Sequence, residues 1–66
     1  MAGNTRGKIK EHLEGCHRNF DWSNAHMDKL VVLIDEHNPK LTESIKALQT
    51  AVGVLDEQLM KVYAVI

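Results

Sequence analysis

His37-Asn38-Pro39-Lys40 is the stretch on which the fold turns. Proline cannot continue a preceding helix but suits the first position of a new one, and asparagine suits the cap before it. One helix stops here and another begins. An αα-hairpin is commonly closed by about two to five residues, so this short break predicts that the second helix folds back antiparallel on the first.

Outward from the break, apolar residues recur on both sides at alternating steps of three and four, the signature of a helix with one buried seam. On the C-terminal side the seam is Leu41, Ile45, Leu48, Val52, Leu55, Leu59, Val62 and Ile66, without a polar interruption. On the N-terminal side it is Ile9, Leu13, Cys16, Phe20, Ser23, Met27, Leu30 and Ile34, with Ser23 as the one polar member. Residues facing each other in an antiparallel pair have position numbers with a constant total. Ile34 with Leu41, Leu30 with Ile45, Met27 with Leu48, and so on down to Ile9 with Ile66, each total 75, which places the mirror point between His37 and Asn38.

The expected architecture is therefore all-α, an antiparallel helical hairpin with helices over about 5–37 and 40–66, roughly 50 and 40 Å long at 1.5 Å per residue. Residues 1–4 are expected to be flexible and the remainder a single module. Asp21-Trp22-Ser23-Asn24 offers three good capping residues, so a three-helix arrangement with a break near Trp22 is the alternative.

A chain of 66 residues buries a smaller fraction of its surface than a typical domain of roughly 100 to 150 residues, and chains of this size commonly rely on disulfides, a metal or a partner subunit. Cys16 is the only cysteine, so an internal disulfide is impossible. A lone thiol without a signal-like apolar stretch predicts a reducing, intracellular setting, cytoplasmic or nuclear. The longest apolar run, Leu30 to Ile34, is far short of the roughly 20 residues a membrane span needs. No closing glycine, lysine or arginine ends Val62-Tyr63-Ala64-Val65-Ile66, which suggests a C-terminus covered in an assembly or continued in a longer protein.

A partner is expected because a two-helix rod gives each seam side chain one facing helix, whereas a buried residue touches about 6 to 12 others. Ala47, Ala51, Val54, Gln58 and Val65 form a second stripe beside the helix-two seam, and Val31, Val32 and Leu33 make the turn-proximal end of helix one apolar nearly all round. Trp22 and Tyr63 are aromatic types enriched at binding hot spots. Together Trp22, Val31, Leu33, Ala47, Ala51, Val54, Tyr63 and Val65 are the candidate interface. Two hairpins packed as a four-helix bundle would bury it, so the expected partner is another copy, with a dimer favoured, and a tetramer or the helices of a partner protein are the alternatives. The positions flanking the helix-two seam carry one charge, Asp56, so charge specifies the oligomeric state poorly.

Chemistry-bearing residues are sparse. His12 and Cys16 have the i, i+4 spacing of a ligand pair, but a structural zinc needs about four ligands and no second pair is evident. No metal, cofactor or catalytic residue is expected, and the histidines are read as flanking or capping the seam. The net charge is −1, with a basic excess only where Arg6, Lys8, Lys10 and Arg18 outnumber Glu11 and Glu14. The alternative function is a dimeric nucleic-acid-binding accessory protein using that N-terminal segment, though no aromatic residues are interleaved there as a single-strand platform needs. Gly53 falls mid-helix and should cost about 1 kcal/mol relative to alanine.

The leading expectation is a non-catalytic, self-associating module that assembles or scaffolds a larger structural or regulatory protein. In architecture it resembles the oligomerisation segments of viral, phage or retroelement structural proteins and of cytoskeletal or regulatory adaptors.

Overall fold

The computed structural model of the protein describes residues 2–66, with side chains from Asn4 onward. Helix α1 spans Ala2–His37, a 3-10 turn spans Pro39–Leu41, and helix α2 spans Thr42–Val65. The two helices lie antiparallel in a rod of 53 × 15 × 11 Å. Helix α1 begins three residues before the expected position 5. The expectation of a flexible 1–4 segment falls partly on Met1, which lies outside the described residues.

The turn forms where proline requires it, though not by the expected cap. Asn38 makes no side-chain capping bond. Its amide instead donates to Ile34 O at 2.7 Å, closing α1, while its carbonyl accepts from the Leu41 amide at 3.0 Å. The first residue of α2 then clasps the last turns of α1: Thr42 Oγ1 donates to Asp35 Oδ1 at 3.0 Å. Helix α1 runs unbroken through Asp21-Trp22-Ser23-Asn24, so the three-helix alternative does not form. Phe20 and Met27, on either side of those capping residues, keep one line facing α2, and helix–helix packing overrides the local signal.

Cross-helix partners report the register. Asp28 with Gln49, Asp35 with Thr42 and Glu14 with Tyr63 have position numbers totalling 77, whereas His17 with Asp56 totals 73. These pairings straddle the expected total of 75, as contacts made from one side of a facing line should.

The line of closest approach is nevertheless rotated off the apolar seam. Leu13, Phe20, Met27 and Ile34 on α1, and Ile45, Val52, Leu59 and Ile66 on α2, are half-buried as the heptads require. In alternate layers the half-buried or buried residue is the next one along: Lys10, His17 and Val31 on α1, and Thr42, Gln49, Asp56 and Tyr63 on α2. Consequently the seam residues Ile9, Cys16, Leu30, Leu41, Leu48, Leu55 and Val62 are exposed in the isolated hairpin. Among the described residues no apolar side chain is buried, and Thr42, at 7% exposure, is the one buried residue. The cause is geometric. A helix with one neighbour can cover only a narrow stripe, and here the hydrogen-bonded pairs pull that stripe toward the polar side.

Candidate interaction surface

With the seam rotated, the rod has two unlike flanks. Heptad phase assigns each residue to one of them, because positions seven apart stay on the same side of a helix pair.

The polar flank carries the cross-helix bonds. Gln49 Nε2 donates to Asp28 Oδ1 at 2.6 Å, and Tyr63 Oη donates to Glu14 Oε1 at 2.9 Å. The Lys10 ammonium stands 5.3 Å from the centre of the Tyr63 ring, a cation–π distance. Arg6 donates through Nε to the carbonyl of Ile66, so two members of the basic N-terminal segment, Arg6 and Lys10, are turned onto α2. The Tyr63 hydroxyl is held protonated above its usual range by its bond to Glu14, with the carboxylate's charge and desolvation acting in the same direction.

At the middle of this flank stand His17, Asp21 and Asp56. Asp56 Oδ1 lies 2.7 Å from His17 Nδ1, and Asp21 Oδ2 lies 3.6 Å from His17 Nε2. The hydrogen bond to Asp56 raises the imidazole pKa, desolvation opposes it, and the charges of Asp56 and Asp21 add to the rise. Ligand atoms of the three residues lie within 4.8 Å of one another. The two carboxylates approach opposite nitrogens of the ring, the geometry that favours the protonated imidazole, and a bound cation would compete with that proton for the same atoms. Sequence reading missed it because Asp56 lies 39 positions from His17 and no local spacing links them.

The other flank is apolar. Ile9, Cys16, Ser23 and Leu30 of α1 lie alongside Leu41, Leu48, Leu55 and Val62 of α2, all exposed, with Leu48 at 53% and Leu55 at 56%. The next heptad line outward is Thr5, His12, Asn19, His26 and Leu33 on α1, and Ser44, Ala51, Gln58 and Val65 on α2. None of these positions is Asp, Glu, Lys or Arg. At the chain's overall 26% charged composition a strip this long would carry about four charges, and depletion of charge is what marks the centre of an interface. His12 and Cys16 belong to this strip, beside Ile9 and Leu13 in a shallow hollow near its open end, and among the described residues no third ligand type joins them.

The residues singled out from sequence divide between these surfaces. Leu33, Ala51 and Val65 edge the apolar flank, with Val65 82% exposed, and Ala47 and Val54 continue it round the back of α2. Val31 and Tyr63 instead are half-buried on the polar flank. Trp22 stands on the outer side of α1, 73% exposed, its ring tilted against His26 with centroids 6.3 Å apart. Its partner His26 belongs to the outer line of the apolar flank, so Trp22 continues that flank round the back of α1 as Ala47 and Val54 do on α2. No helix of the described residues is long and apolar enough to cross a membrane.

Comparison of the chain with models of known protein families, with curated proteins and with solved structures finds no match.

Proposed function

We propose that this chain is a non-catalytic, self-associating helical module whose apolar flank is covered by a second copy, giving a four-helix bundle that assembles or scaffolds a larger structural or regulatory protein. The observation that carries this reading is the uncharged strip running the length of a rod that, among the described residues, buries no apolar side chain of its own.

Area supports it. A compact monomer of 7.5 kDa would expose roughly 4,200 Å². The hairpin exposes 5238 Å², an excess of about 1,000 Å² against the roughly 800 Å² per partner that a stable interface covers. The broad face of the rod, 53 by 15 Å, is about 800 Å² in outline, the same size.

Charge selects the flank. The polar flank presents Glu14, Asp21, Asp28, Asp35 and Asp56, each already bonded within the chain, beside Lys10 and His17, so a second copy on that side would have to desolvate charged groups that its own chain satisfies. The apolar flank imposes no such penalty. Sedimentation velocity over a dilution series tests the proposal: a dimer is expected at micromolar concentration, and a monomer at every concentration overturns it.

A further inference from the structure

Granting the self-association proposed above, we infer that the two hairpins lie with their turns at the same end, each α1 packed on the partner's α2. A twofold face-to-face pair of rods has two solutions. An axis along the rod sets α1 over α2 of the second copy with both turns together, and an axis across the rod sets α1 over α1 and α2 over α2 with the turns at opposite ends.

Side-chain size separates the two. Along the middle of the apolar flank α1 presents small residues, Cys16 and Ser23, and α2 presents large ones, Leu48 and Leu55. In the opposite-end pair Leu55 meets its own copy at the axis while Cys16 meets the second copy's Ser23. One edge of the bundle is then overfilled and the other left with a void. In the same-end pair the antiparallel register carries across the interface, so Ser23 lies at the height between Leu48 and Leu55 of the other chain, and Cys16 between Leu55 and Val62. Each small residue receives two large ones, which is the interdigitation that a close-packed core needs. The rod ends obey the same rule less strongly, since Ile9 and Leu30 are large and tolerate either arrangement.

Pulsed electron–electron distance measurement on spin-labelled full-length chain decides between them. Cys16→Ala removes the native thiol while keeping the position small, and Asn38→Cys then labels the turn; a second variant, Cys16→Ala with Gly7→Cys, labels the open end, where an added side chain meets nothing within 4 Å. The same-end pair predicts a separation under about 30 Å between two turn labels, from helices about 10 Å apart plus the label arms. Turn label to open-end label in a mixed dimer should instead approach the 53 Å length of the rod. The reverse pattern, long between turns and short in the mixed dimer, overturns the same-end arrangement and leaves self-association standing. Monomeric sedimentation of the unlabelled wild type overturns both.

Discussion

The two flanks of the rod arise from the same two heptads and differ in how they are finished. On the polar flank four bonds are completed within one chain, by Thr42 with Asp35, Gln49 with Asp28, Asp56 with His17 and Tyr63 with Glu14. On the apolar flank no layer is closed, and Leu41, Leu48, Leu55 and Val62 stay exposed. Directional bonds between side chains can be completed by two helices, because each needs one partner in one place. Apolar side chains need to be surrounded, and two helices cannot surround anything.

That contrast is most open to breakage at Leu55. Leu55→Asp should dissociate the assembly and cost at least about 3 kcal/mol, because each copy would bury an unpaired carboxylate at the centre of the strip. Loss of helical circular dichroism together with monomeric sedimentation is the expected readout. In an isolated hairpin Leu55 is already 56% exposed, so retained helicity with unchanged melting would mean that nothing covers this flank.

Gly53→Ala sharpens the comparison from the other side. The added Cβ meets nothing within 4 Å, so the change should stabilise α2 by about 1 kcal/mol through helix propensity alone. Chemical denaturation should move to higher midpoint while the dimer dissociation constant stays within error. Gln49→Ala removes one bond of the polar flank and should cost about 0.5 to 1 kcal/mol, again without shifting the sedimentation profile.

The smallest effect is that of pH on the polar flank. Bonding to Asp56 raises the folded pKa of His17 above its unfolded value. The protonated form is thus favoured by folding, and its contribution is fully present below the usual histidine value of about 6.5 and lost as pH rises through the folded value. Melting followed from about pH 6 to about pH 8 should show a modest decline that His17→Ala abolishes. An identical decline in the variant would assign it to other groups.

Much of this was legible in residues alone, for local reasons. Proline in His37-Asn38-Pro39-Lys40 placed the turn, and the three-four spacing of apolar residues placed both helices and their facing register, because each depends on residues within a turn or two of helix. The stop at Asn38 follows from residue type, but what secures it does not, since the clasp is made by Thr42 and Asp35, whose meeting depends on how the turn closes. Trp22 is the converse case. Its type suggests an anchor, and its phase puts it one line beyond the strip, beside His26, where a single neighbouring helix leaves it 73% exposed.

By itself the sequence determined that there are two helices, where the chain reverses, which residues stand opposite one another, and that one strip carries no charge. Which side of the seam the helices close on was decided only in three dimensions. Both flanks share one heptad period, so periodicity cannot choose between them. The choice falls to pairs such as His17 with Asp56, 39 positions apart, whose hydrogen bond exists only once the helices are side by side.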